Sequence, residues 1–96
     1  MTTEVTARLH SDLAVPPGAL LQEELEAREM SQKELARLMG RPAQLVNEIV
    51  RARKRITEQT ALELESALSI PAHIWLGLES QYRLTLARQA RNRKAG

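Results

Sequence analysis

The chain has no cysteine and no phenylalanine, and only one tryptophan, one tyrosine, four glycines and four prolines among its 96 residues. Without cysteine there is no disulfide framework, no thiol nucleophile and no zinc site built on thiolates, a usage that suits a reducing compartment. No stretch approaches the roughly 20 apolar residues of a membrane span, and the opening MTTEVTARLH lacks the apolar centre of a signal peptide. The expected location is therefore the cytoplasm, with no membrane partner. Because only 2% of the residues are aromatic, the 43% hydrophobic fraction is nearly all aliphatic, which packed helices use better than strands. An all-α chain is expected, in one domain near the size at which a single core suffices.

Catalytic machinery is equally scarce. The two histidines, His10 and His73, fall in different predicted elements, and there is no HExxH pair and no glycine-rich phosphate loop. Glu63 and Glu65 stand two apart on a predicted helix, so they face different ways and form no carboxylate pair. No enzymatic activity, metal or cofactor is expected.

What the chain does have is a partition of charge that its net value of +2 hides. Residues 1–40 carry 4 basic and 7 acidic side chains, and residues 41–55 carry 5 and 1. Residues 56–82 carry no Lys or Arg and 4 acidic side chains, and residues 83–96 carry 5 basic and no acidic ones. One basic block thus sits in mid-chain and another at the end. Glu23, Glu24, Glu26 and Glu29 read as a solvated acidic face, with a basic partner as the alternative use.

Helical signals follow in order. VTARLH alternates weakly and, within residues 1–15, reads as an N-terminal extension. VPPG punctuates the chain, and a helix is expected from Pro17 to about Arg28, with Leu20, Leu21 and Leu25 at helical spacing. Ser31 with Glu34 is a capping box for a second helix from Gln32, which ends at Gly40 and buries Leu35, Ala36, Leu38 and Met39 in part. Pro42 suits the first turn of a third helix. That helix turns Leu45, Val46, Ile49 and Val50 inward and Ala43, Gln44, Asn47, Glu48 and Arg51 outward. After the basic connector RARKRI, Thr57 caps a fourth helix with Ala61, Leu62, Leu64, Ala67, Leu68 and Ile70 on its apolar side. Pro71 opens a fifth, expected to reach about Asn92 with a possible bend at Gly77, before a frayed basic tail over residues 93–96. The domain is expected over residues 16–92.

Residues 31–50 hold two short helices separated only by Gly40, Arg41 and Pro42. A three-residue turn with a small residue where the backbones meet, here Ala36, is the helix-turn-helix arrangement. Leu35, Met39, Val46 and Ile49 agree with it in spacing. In such a unit the second helix lies in the major groove and the first crosses the sugar-phosphate backbone. Gln44 and Asn47, three apart on one face, are the expected base readers, since Gln and Asn match the adenine edge. Ala43 is placed for a thymine methyl, and Arg51 for a guanine or a phosphate. Gln32, Arg41, Arg53, Lys54 and Arg55 are expected on the DNA backbone, giving affinity without sequence information. Glu48 is expected either to accept from cytosine or to pair with Arg51.

PPG before the first helix, MSQKELA, RPAQLVNEI, KRIT and IPAHIWLGLE, in that order over residues 16–82, resemble the HigA-type antitoxins of the Xre family of helix-turn-helix regulators. The resemblance implies a lambda-repressor-like five-helix domain. It also implies a homodimer that represses its own operon through an inverted-repeat operator. A neighbouring HigB-like toxin, typically a ribosome-dependent mRNA endonuclease, is the implied protein partner. The family's DNA-facing positions fall on Gln32, Arg41, Gln44, Asn47 and the segment Arg51 to Arg55. Two departures stand out. The family commonly has Asn-Gly where this chain has Arg51 and Ala52, so a left-handed position would carry Ala at a cost of about 1 kcal/mol. Leu45 replaces a smaller or hydroxylated residue. An orphan regulator without a toxin is the alternative. Trp75, Leu78, Tyr82 and Leu86 share one stripe of the fifth helix and are a candidate dimer seam, with core packing as the other use of Trp75.

Overall fold

The computed structural model describes residues 13–95; VTARLH and His10 lie outside them. The first helix, α1 (Pro17–Ala27), begins directly after Pro16, where a proline's missing N–H costs nothing. It buries Pro17, Gly18, Leu21 and Leu25 and leaves its glutamates outside or half-exposed. Glu29 turns left-handed (φ 53°), and Met30 N–H closes back on Leu25 O at 2.9 Å.

The second helix, α2 (Gln32–Met39), starts on the expected capping box. Ser31 Oγ accepts from Glu34 N–H at 3.0 Å, and Glu34 Oε1 accepts from Ser31 N–H at 3.1 Å. The Ser31 backbone N–H, first, and the Ser31 hydroxyl beside it hold the Glu34 carboxyl below its ordinary range, with Arg37 adding to the shift. A depressed folded value means that the stabilisation is present above the ordinary carboxylate range and is lost as pH falls through the folded value. The melting temperature of Glu34→Gln should therefore lie below wild type at pH 7 and converge with it as pH falls below the ordinary carboxylate range. A gap that persists at low pH would contradict the linkage. Gly40 ends α2 at φ 68°, with Gly40 N–H on Arg37 O and Arg41 N–H on Ala36 O.

The third helix, α3 (Ala43–Val50), is entered from Pro42, which is extended and caps the helix from just outside it rather than opening its first turn. It closes through the paired bonds of a Schellman turn: Ala52 N–H to Ile49 O at 3.0 Å and Arg53 N–H to Glu48 O at 2.8 Å. The residue at the left-handed position is Ala52, at φ 60°. Relief of its Cβ, offset by the greater freedom of an unfolded glycine, should make Ala52→Gly more stable by roughly 0.5–1 kcal/mol. The expected result is a Tm rise of a few degrees, read by thermal melting.

Thr57 Oγ1 accepts from Thr60 N–H at 3.3 Å at the head of α4 (Glu58–Leu68). The last helix, α5 (Ala72–Ala95), gains an anionic cap at its positive end, where Glu65 Oε2 accepts from Ala72 N–H at 2.8 Å. It runs unbroken through Gly77 and on past the expected end at Asn92. At 1.5 Å per residue its 24 residues span about 36 Å.

The core draws on all five helices. Leu21, Leu35, Val46, Ile49, Leu64, Leu68 and Trp75 are its largest fully enclosed side chains. Trp75 is 0% exposed, so it belongs to the core and is withdrawn from the candidate dimer seam; its indole N–H meets no acceptor among the described residues. Leu38 and Leu62, expected inside, are instead 57% and 56% exposed. At about 100° per residue, Leu62 points opposite the stripe of Ala61, Leu64 and Leu68, and Leu38 falls outside the stripe of Leu35, Ala36 and Met39.

One contact fixes how α1 meets α3. A Cβ built on Gly18 would overlap the carbonyl oxygen of Ile49 and lie 2.7 Å from that of Val50. Only a hydrogen fits there. Ala36 is buried as the helix-turn-helix spacing requires, and Gly18 marks a backbone approach, between α1 and the end of α3, that admits no Cβ at all.

Candidate nucleic-acid interface

The buried row Leu45, Val46 and Ile49 fixes the rotation of α3, and the opposite face follows from it. Gln44 is exposed at the first turn, whereas Asn47 and Glu48 are half-buried beside it. Ala43, expected outside, is half-buried and packs against the core, which limits what its methyl can reach. Arg51 is exposed at the helix end.

Two expected site residues from different helices meet. Asn47 Nδ2 donates to Gln32 Oε1 at 3.2 Å, tying the start of α2 to the middle of α3. The bond leaves Asn47 Oδ1 as an acceptor and Gln32 Nε2 as a donor, so the pair presents both hydrogen-bonding senses. Gln32 also stands at the first position of α2, where backbone N–H groups favour an anion.

Arg41 is held from an unexpected side. Its Nη1 donates to both oxygens of Glu63 on α4, at 3.1 and 3.2 Å, and Gln59 Nε2 donates to the same carboxylate at 3.2 Å. The remaining guanidinium donors stay available for a phosphate. Glu63 was invisible as a partner in the sequence, because it lies 22 residues from Arg41 and no local rule links them. Arg41, Gln44, Leu45, Glu48 and Lys54, with Pro42, line one open depression of about 210 Å³ beside the first turn of α3. Glu48 makes no ion pair with Arg51 among the described residues; its backbone carbonyl closes the helix instead.

Arg51, Arg53, Lys54 and Arg55 are all exposed on the segment that follows α3. No acidic residue interrupts them. The segment is anchored from α5: Glu79, 8% exposed, accepts the Ile56 N–H on Oε1 at 2.9 Å. Glu79 was missed in the sequence, although a charged residue one turn after Trp75 on a buried stripe was the signal available. On the same helix, Leu78, Tyr82 and Leu86 are half-buried, and Arg83 lies 5.1 Å from the centre of the Tyr82 ring.

The comparisons with known proteins agree with the fold. The helix-turn-helix family model matches residues 21–75. Virulence-associated protein I of Dichelobacter nodosus is 36% identical over 77 residues, 79% of this chain and 71% of its own length. Among solved structures, the Pseudomonas aeruginosa antitoxin HigA, seen with the higBA promoter, superposes with a TM-score of 0.80 at 31% identity, over 86% of this chain and 91% of that one. An addiction module antidote protein of the HigA family from Coxiella burnetii gives a TM-score of 0.79 at 30% identity, covering 84% and 89% of the two chains.

Proposed function

The chain belongs to the Xre-type helix-turn-helix family, with the fold of HigA antitoxins, and on that premise we propose that it is a sequence-specific DNA-binding autorepressor and the antitoxin of a type II toxin–antitoxin module. What supports the DNA-binding part is the exposed Gln44 three residues before Asn47, which is tied to Gln32, together with the four exposed cations on the segment 51–55 that leaves the helix. Such an arrangement divides the work. Arg53, Lys54 and Arg55 with Arg41 and Gln32 neutralise or grip phosphates, while Gln44 and Asn47 read base edges and Arg51 takes either part.

One α3 reads few base pairs, so the protein acts as a homodimer on an inverted repeat with half-sites about 34 Å apart. Leu78, Tyr82 and Leu86 remain as candidate seam residues on α5. The protein partner is a HigB-like toxin, an mRNA endonuclease working on the ribosome, and the location is cytoplasmic, on the nucleoid through DNA.

Two measurements test this function. Sedimentation on a duplex from upstream of its own gene should give two chains per inverted repeat, and one chain per duplex at saturation would refute the dimeric repressor. The neighbouring gene's product should arrest growth alone and co-purify with this chain. A harmless, unbound neighbour would leave an orphan regulator.

A further inference from the structure

The segment bearing the four cations is secured at both ends, and only one of the two anchors is local. At its start the Schellman turn locks Ala52 and Arg53 onto the carbonyls of Ile49 and Glu48. At its end Ile56 is buried, and its backbone N–H donates to Glu79 Oε1, 23 residues away on α5. The other oxygen of Glu79 accepts from Arg83 Nε at 2.6 Å, with the Arg83 side chain still 31% exposed. A largely buried carboxylate held by an arginine is weak evidence for stability, because an apolar residue of similar volume often serves as well. An apolar residue has no acceptor for the Ile56 N–H, however, and that bond sets where the peptide chain carrying Lys54 and Arg55 runs.

We propose that Glu79 is a positioning residue for DNA binding: oriented by Arg83, its carboxylate fixes the path of the basic segment 51–56 so that its cations meet the phosphate backbone together. Glu79 touches no DNA itself and acts through the Ile56 amide. The proposal rests on the reading of that segment as a DNA clamp. It predicts an effect opposite in sign to the simple field of the charge. Removing a carboxylate raises the net charge by one and by field alone would tighten binding to any duplex. Loss of the anchor weakens it instead.

The test uses the full chain as wild type, Glu79→Met and Glu79→Gln, with folding checked by circular dichroism. Affinity is measured over a salt series on the upstream duplex and on a scrambled one. Met and Gln change the charge equally, but only Gln keeps an acceptor for Ile56. Glu79→Met is expected to bind both duplexes about 10-fold more weakly near 0.1 M salt. Its plot of log affinity against log salt should be shallower by about 1–2, the equivalent of one or two phosphate contacts. Glu79→Gln should return to within about 3-fold of wild type, on the premise that one anchored amide restores those contacts. A merely structural Glu79 would lower the melting temperature and leave the salt slope of the folded protein unchanged. In wild type, the Ile56 amide should exchange with solvent deuterium about 100-fold or more slowly than a free amide, in keeping with a buried, bonded N–H. An unprotected Ile56 amide, or a folded Glu79→Met with the wild-type slope, overturns the inference and leaves the DNA-binding reading standing. A wild-type protein with no steep salt dependence overturns both.

Discussion

Replacing Gly18 with alanine should all but unfold the protein. The added Cβ would collide with backbone, the carbonyl oxygen of Ile49 and that of Val50, and neither can swing aside as a flexible side chain would. To relieve the contact α1 must lift off α3, and Leu21 and Leu25 would leave a core in which they are 0% and 3% exposed. Overpacking of this kind costs about 1–3 kcal/mol where side chains can yield, and more where they cannot. A domain of this size has only about 5–15 kcal/mol in total. The expected result is a Tm lowered by tens of degrees, or no cooperative transition at all. Gly77→Ala is the matched control. A Cβ there meets nothing within 4 Å, and alanine is the better helix former by about 0.8–1 kcal/mol, so that variant should be at least as stable as wild type. Gly18→Ala melting within a few degrees of wild type would show that α1 does not approach α3 as described.

The second large effect concerns discrimination. Gln44→Ala should weaken binding to the native operator by about 1–3 kcal/mol, roughly 5- to 150-fold, and leave a scrambled duplex almost unaffected. Lys54→Gln should weaken both duplexes alike and make the salt slope shallower by about 0.9. The two variants thus separate base reading from phosphate binding on neighbouring residues of one depression. Fluorescence anisotropy on the two duplexes reads both. An equal loss from Gln44→Ala on native and scrambled DNA would assign Gln44 to the backbone. Gln44 is the better probe than Asn47, whose removal would also break the link to Gln32.

What could be read from the sequence was what local rules govern. The capping box at Ser31 and Glu34, the left-handed Gly40 and the Thr57 cap each depend on residues within one turn, and each is present. The left-handed Ala52 was also legible, though through the family's usual Asn-Gly and not through any preference of alanine. Hydrophobicity alone misled at Leu38 and Leu62, because an apolar residue off the helical stripe reads the same as one on it until the helix is oriented. The links that shape the candidate interface were hidden for another reason. Arg41 with Glu63 and Ile56 with Glu79 join residues more than 20 apart across the fold, and no spacing rule spans that distance. Trp75 was left between core and dimer seam, and complete burial decides for the core.

These links also suggest why the domain is built as it is. A helix of eight residues has little stability alone, so α3 depends on its neighbours for its position. Its start is steadied by Arg41 on Glu63, its middle by Asn47 on Gln32, and the chain leaving it by Ile56 on Glu79. Each brace comes from a different helix, and together they fix the position of this short helix and of the chain that leaves it.

The most direct test of the account is the affinity of the wild-type chain for its own upstream DNA and for a scrambled duplex of the same length and composition, over a salt series. Base reading by α3 predicts at least about 1,000-fold tighter binding to the native fragment at physiological salt, on top of a steep salt slope shared by both duplexes. Equal affinity for the two, with the same slope, would contradict it and reduce the face to a nonspecific basic surface.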